Sequence, residues 1–325
     1  MNYRKMLRAL FAMSLCCSFV SGCGSSSEKS SDKEEIKETE TAAKEEKTEE
    51  KKEEKVEKKT EYHVGDTIQD GDVKIIYLAS GEYIEDNDFL QPDEGKKYVF
   101  IELAFENTGK KDTSISTFSF EAYADGYQAD QYYGNSNTID ATLSPGRTTT
   151  GLLIFQVPVD STQIEVEYTP NMFNSKEKIK FIYDGDKNSG ITVENKAEAS
   201  DSAYKVGDTI DIDKVKMTYL SCNPNYQTDN QFLQPEEGNK LIQCELEFEN
   251  TGESDESVSV FSFDCFADGQ SCDMTYTDTD LSGTISSGRK LKGTVTFEVP
   301  ENASVIEVEY KPNLFINKRI ILAVQ

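Results

Sequence analysis

The segment "YHVGDTI" (Tyr62 to Ile68) is written a second time as "YKVGDTI" (Tyr204 to Ile210). "FLQPDEGKK" (Phe89 to Lys97) returns as "FLQPEEGNK" (Phe232 to Lys240). "FENTG" occurs at Phe105 and again at Phe248, and "EVEYTPN" (Glu165 to Asn171) returns as "EVEYKPN" (Glu307 to Asn313). The offset stays at 142 or 143 residues throughout. A fixed offset of that length marks a duplicated domain, so whatever one copy folds into, the chain folds into twice. The copies span 62–184 and 204–325, and the polar stretch 185–203 between them reads as a linker.

Each copy has the period of a half-buried strand. In "KLIQCELEFENTG", Ile242, Cys244, Leu246 and Phe248 alternate with Gln243, Glu245, Glu247 and Glu249. Val99, Ile101, Leu103 and Phe105 hold the apolar places in the first copy. Val295, Phe297 and Val299, then Ile306, Val308 and Tyr310, repeat the pattern. Period two puts one face in a core and the other in water. Turn signals such as "NTG", "ADG" and "SPGR" interrupt the strands at short spacing, and no stretch of either copy has a helical period. Six to eight short antiparallel strands in roughly 120 residues predict a sandwich. The fold class is therefore all-β: two tandem antiparallel sandwiches.

The order "VGDT", "P-x-E-G-x-K", a long alternating strand ending "ENTG", "F-x-F" before "ADG", then "S-x-G-R" and "EVEY" resembles a bacterial family of telokin-like, immunoglobulin-like extracellular domains of unknown function. The family is common on lipoproteins of Gram-positive bacteria and is similar in fold to a secreted mycobacterial immunoprotective protein. The resemblance covers both copies almost end to end. It implies two tandem immunoglobulin-like antiparallel β-sandwiches and an extracytoplasmic location. It carries over no site residue, because the shared motifs are turns and alternating strands.

Ahead of the duplication stands a basic head, Arg4, Lys5 and Arg8, followed by an apolar run from Ala9 to Val20. This is the layout of a secretory leader, residues 1–22, and it is shorter than the ~20 apolar residues that span a bilayer. "VSGC" (Val20 to Cys23) resembles a bacterial lipobox, with valine in place of the commoner leucine. That resemblance implies a diacylglyceryl thioether on Cys23, cleavage before it, and a further fatty acyl chain such as palmitate on its amine. Two chains give a stable anchor where one is marginal. The other reading is an ordinary secretory leader with a cysteine beside the cut. From Cys23 to Glu61 the chain is Ser, Glu, Lys and Thr with almost nothing apolar, so it cannot bury a core. It reads as a tether, disordered or partly helical through Glu–Lys pairs, and as a coil it reaches roughly 35 Å. The expected location is the outer face of the cell membrane, lipid-anchored, in a Gram-positive bacterium. Loss of the three basic leader residues takes the formal charge from −26 to about −29. That balance argues against nucleic acid, whose phosphates it would repel.

Candidate chemistry is sparse. His63 is the only histidine, and no nucleophile motif or glycine-rich phosphate loop accompanies it, so no enzyme and no cofactor is expected. Oxygen-bearing side chains of the kind calcium takes cluster at Glu82, Glu85, Asp86, Asn87 and Asp88, and at Asp278 and Asp280. EF-hand spacing is absent, and the reading is solvated loop acids, with no metal. Cys222, Cys244, Cys265 and Cys272 all lie in the second copy. Four cysteines in an exported domain suggest disulfides. A hairpin turn at Asp268-Gly269 would set Cys265 opposite Cys272, leaving Cys222 with Cys244. Inward-pointing Cys244 and Cys265 would instead pair with each other, leaving Cys222 with Cys272. Four free thiols are a third reading.

Recognition is expected from tyrosines that follow a hairpin turn: Tyr127, Tyr132 and Tyr133 in the first copy, Tyr276 in the second. Their rings offer area and a hydrogen bond to sugar or protein, although such rings also serve to cover a core. The function expected is a non-catalytic binding module meeting an envelope polymer or protein ligand, identity open. A passive spacer or scaffold, and an accessory sensor or chaperone of a membrane partner, are the alternatives.

Overall fold

The alternating segments become long central strands, and the turn signals become the corners between them. The computed structural model describes residues 60–134, 137–170, 178–193, 200, 202–312 and 319–324. The leader, Cys23 and the tether as far as residue 59 lie outside the described residues. Residues Lys59–Gln325 form one unit.

The first repeat contains β1 (Glu61–Tyr62), β2 (Thr67–Asp70), β3 (Val73–Tyr83), β4 (Lys96–Asn107), β5 (Thr113–Ile115), β6 (Phe120–Ala124), β7 (Tyr127–Tyr132), β8 (Ala141–Leu143), β9 (Thr148–Pro158), β10 (Ile164–Tyr168), β11 (Ile179–Ile182) and β12 (Lys187–Asn188). One sheet runs β2-β3-β4-β9 and ends on the second half of β7. The other runs β1-β11-β10-β6 and ends on the first half of β7. A single strand thus turns the corner between the two sheets. The pairing is antiparallel except for β1 on β11, a two-residue parallel contact that the sequence pattern does not announce.

The second repeat follows the same plan with β13 (Thr209–Ile212), β14 (Val215–Tyr226), β15 (Asn239–Asn250), β16 (Glu256–Val258), β17 (Phe263–Ala267), β18 (Gln270–Met274), β19 (Gly283–Ile285), β20 (Lys290–Pro300), β21 (Ile306–Tyr310) and β22 (Ile320–Ala323). β13-β14-β15-β20 face β22-β21-β17, and β18 is shared. Inward residues of both sheets fill each core, with Tyr77, Leu103, Phe105 and Phe155 in the first and Tyr219, Leu246, Phe248 and Phe297 in the second, all fully buried.

Two motifs that look like turn signals do more. The asparagine of "ENTG" is buried in both copies. Asn107 Nδ2 donates to the carbonyls of Lys111 and Leu143, and its Oδ1 accepts from Gly109 N. Asn250 does the same with Ser254, Ile285 and Gly252. One side chain satisfies three backbone groups at a corner where they would otherwise be orphaned. Inside β9 and β20, Gly151 and Gly293 lie under a crossing segment. A Cβ at Gly151 would stand 2.5 Å from the Thr138 carbonyl carbon, and one at Gly293 2.7 Å from Leu281 Cα. The missing side chain is what lets Ile139 and Leu281 close the ends of the two cores.

The stretch 185–203 differs from a free linker. β12 pairs with Ala79 and Ser80 of β3, Ser80 Oγ donates to Gly185 O, and Asp186 Oδ1 accepts from Glu82 N. Val193 packs on Ile76, Leu78 and Ala104. Its first half therefore belongs to the first repeat: polar residues there satisfy an edge, and one apolar residue covers the outer face of the sheet.

The repeats are joined head to tail by a buried polar seam. Arg147, in the "SPGR" turn of the first repeat, inserts between Glu307 and Glu309 on β21. Its Nε and Nη2 donate to Glu309 Oε1 at 3.1 and 3.0 Å, and Nη2 also meets Glu307. Its guanidinium carbon lies 4.7 Å from the centre of the Phe266 ring. Ser144 Oγ and Arg319 Nη1 complete the shell of Glu309. Burial alone would lower the arginine's pKa, but the two carboxylates outweigh it and hold the pKa above its usual value. Nearby, Lys311 joins Asp112 of the first repeat to Asp264 of the second. Thr148 N donates to Gly269 O, and the Phe266 ring enters the core of the first repeat.

Candidate recognition surface

A serine sets each element of the surface. Ser116 and Ser259 have extended backbones, and their hydroxyls accept from Phe118 N and Phe261 N, starting single 3-10 turns at Thr117–Ser119 and Val260–Ser262. Thr117 and Val260 point inward from these turns, as do Phe120 and Phe263 just after them. Phe120 stacks on Tyr168 and Phe263 on Tyr310, each at 4.6 Å between centroids. In the first repeat Thr117 is also held by Asp140 through its backbone and hydroxyl. With neighbours on both sides committed to the core, the middle phenylalanine is forced outward. Phe118 is 72% exposed and Phe261 79%.

Each outward phenylalanine meets a tyrosine that follows the corner strand. Phe118 and Tyr133 lie 6.0 Å apart, and Phe261 and Tyr276 6.1 Å. Both tyrosines are at least half exposed. Partial burial, with the Asp140 carboxylate nearby, raises the Tyr133 pKa, so its hydroxyl stays protonated at neutral pH. The hydroxyl lies 2.9 Å from Gln131 Oε1. Both members of the pair recur at the same offset, so one repeat displays the same two-ring platform as the other. A second aromatic also recurs. Phe89 and Phe232 project from the "FLQP" loop, each with its N–H held by an asparagine, Asn87 or Asn230, two residues before it.

The structure sorts the four tyrosines singled out from the sequence. Tyr133 and Tyr276 form the platforms. Tyr127 stands alone, 81% exposed, beside a hairpin tip in which Asp125 and Gly126 both have positive φ. Tyr132 is a correction: it is packed rather than displayed. Its ring lies 4.5 Å from that of Tyr98 and 6.0 Å from that of Tyr83, and its phenol donates to the buried carboxylate of Glu85. Desolvation and that carboxylate drive its pKa far upward. Tyr132 ends β7 on the outer face of the sheet, opposite Ile154, where the Tyr83 and Tyr98 rings cover it, and the chain leaves the strand at the next residue. Strand alternation would turn both phenylalanines of "F-S-F" to the same face; the 3-10 turns at Thr117–Ser119 and Val260–Ser262 separate them, which is why the sequence did not mark Phe118 and Phe261 as exposed.

The remaining candidates are placed as follows. His63 Nδ1 lies 2.8 Å from Asp184 Oδ1 at the surface. Of the loop acids, Glu85 is consumed by Tyr132 and Asn87 N, while Asp86, Asp88 and Asp278 are exposed. Asp280 caps Thr277. Among the described residues no group of three or more His, Cys, Asp or Glu is placed to hold a metal ion. Cys222 stands opposite Cys244, and Cys265 opposite Cys272. A cleft of about 450 Å³ opens along the seam beside Arg147, Ser200, Tyr204, Glu307 and Arg319. Its charges already pair with one another, so it reads as joint rather than site. No helix among the described residues is long and apolar enough to cross a membrane.

A family model described as "Domain of unknown function (DUF4352)" matches residues 62–179 and again 204–320. No curated protein matches the chain. Among solved structures, the chain is similar to a candidate lipoprotein from Bacillus subtilis at 16% identity and a TM-score of 0.31, over 36% of this chain and 37% of that one. It is similar to the yjhA protein of the same organism at 18% identity and a TM-score of 0.30, over 38% of this chain and 99% of that one. It is also similar to the secreted protein MPT63 of Mycobacterium tuberculosis at 19% identity and a TM-score of 0.28, over 38% and 95%.

Proposed function

We propose that this chain, which belongs to the DUF4352 family and carries that domain of unknown function twice in tandem, is a non-catalytic binding protein held at the outer face of the cell membrane. The observation that carries the binding role is the duplicated exposed platform, Phe118 with Tyr133 and Phe261 with Tyr276. Leaving four large rings in water is costly, and keeping the same pair twice is what a repetitive ligand would use. A stacking face with a neutral phenol suits the sugar face of an envelope polymer or a protein loop. The anchor rests on the leader and the "VSGC" sequence ending at Cys23.

The test uses the purified full chain in detergent, titrated against cell-wall glycan fragments and against an envelope-protein extract. Binding should fall at least about tenfold in the variant with Phe118, Tyr133, Phe261 and Tyr276 all changed to alanine. Loss of one platform alone should weaken polymer binding more than binding of a short fragment. Unchanged binding in the fourfold variant, with its fold intact by circular dichroism, overturns the assignment. A second reading, a rigid spacer, is favoured by the buried ion cluster that locks the repeats. It predicts no ligand and full function for the same variant.

A further inference from the structure

We propose that the second repeat is a disulfide-bonded domain with two cross-strand bonds, Cys222–Cys244 and Cys265–Cys272, the second of which closes the hairpin that joins the two repeats. This rests on the proposed export of the chain, since such bonds persist outside the reducing cytoplasm. Two observations converge on it. Each pair is directly opposed in register, Cys222 on β14 with Cys244 on β15 and Cys265 on β17 with Cys272 on β18. Opposed residues of antiparallel strands have Cα atoms about 4.5–5.5 Å apart, within the span a disulfide bridges. The Cys222 and Cys244 sulfurs already lie 3.4 Å apart.

The first repeat supplies the control. The positions that pair in the same register there are Ser80 with Ile101 and Ala122 with Ala129. Each cysteine pair therefore replaces both members of a contact at once. The rival pairing of Cys244 with Cys265 crosses between the two sheets. It would also leave Cys222 on β14 to pair with Cys272 on β18, and these two strands share no ladder.

The placement gives the second bond its role. Between Cys265 and Cys272 run Phe266, whose ring is buried in the first repeat's core, and the Asp268-Gly269 tip, whose carbonyl accepts from Thr148 N. The bond closes the base of the arm that reaches into the neighbouring repeat.

The oxidant is the disulfide of an extracytoplasmic thiol oxidoreductase. The thiolate of half-buried Cys272 or Cys222 attacks one carrier sulfur and expels the other as a thiolate. The partner cysteine then attacks the protein sulfur of the mixed disulfide and releases the second carrier thiolate. For each bond the protein loses two electrons and two protons, and the carrier disulfide becomes two thiols. Cys244, through its contact with Cys222 and through burial, and Cys265, through burial, have thiols held well above the usual range. Buried and hard to ionise, they are the resolving partners, and the half-buried Cys222 and Cys272 make the first attack.

The experiment traps the full chain from cells with an alkylating reagent, without reductant, and maps its peptides by mass spectrometry alongside membrane fractionation. The four thiols should be unlabelled before reduction and labelled after it, with linked peptides 222–244 and 265–272. Four labelled thiols on a membrane-anchored chain overturn the disulfides and leave the anchor standing. Four labelled thiols on a cytoplasmic chain with its leader intact overturn the export reading. In that case, refolding with glutathione disulfide decides the pairing: the same two bonds support it, and a 244–265 bond or a mixture overturns it.

Discussion

At the scale of the residue, the same side chain has different work in the two repeats. Arg147 and Arg289 occupy the same place in "SPGR" and "SSGR". Arg147 is buried between two carboxylates, while Arg289 is exposed. Removing one partner of a buried ion cluster leaves uncompensated charge, which costs on the order of 3 kcal/mol. Arg147→Ala should therefore lower the stability of the chain by about that amount in denaturant unfolding. Arg289→Ala should change it by less than about 0.5 kcal/mol. Equal effects would mean that the seam contributes nothing. The sequence offered no reason to tell the two arginines apart, because the turn dictates their local conformation and only the neighbouring repeat decides their burial.

At the scale of the element, the strand "IEVEY" is the clearest case. It occurs unchanged as β10 and β21. In β10 the glutamates are partly buried and pair with Lys178 and Lys180 of the same repeat. In β21 both are buried, and the cation beside them comes largely from the other repeat. Alternation correctly places Ile, Val and Tyr inward in both copies, and it is silent on what covers the outward face. The glycines of β9 and β20 were equally silent, since nothing local marks a crossing segment. Gly293→Ala should destabilise the second repeat by roughly 1–3 kcal/mol, because the backbone of Leu281 must move to admit the methyl group. The contrasting control is Gly283→Ala, where a Cβ meets nothing nearer than 3.5 Å. If the two substitutions melt together, the close approach has no energetic weight. The hairpin tips were more legible. "ADG" demands positive φ at two successive residues, and Asp125-Gly126 and Asp268-Gly269 adopt it.

At the scale of the whole molecule, the leader and Cys23 bear on location, and the tandem bears on geometry. Cys23→Ala should release the chain from membranes into the medium or periplasm-like space, read by fractionation; a variant that stays membrane-bound removes the lipid anchor. The sequence by itself determined the duplication, the strand period and the all-β class, since these follow from local alternation and turn chemistry that each residue carries with it. Its composition between Cys23 and Glu61 led only to the expectation of a tether, because a segment with almost no apolar residues has nothing to bury. Only the tertiary structure decided that Tyr132 is packed and Phe118 displayed, that half of the apparent linker belongs to the first repeat, and that two identical strands meet lysines of their own repeat in one copy and an arginine of the other repeat in the second. The physical reason is common to all of these. Burial depends on what a distant segment brings to a surface, and a periodic pattern says which way a side chain points without saying what waits there.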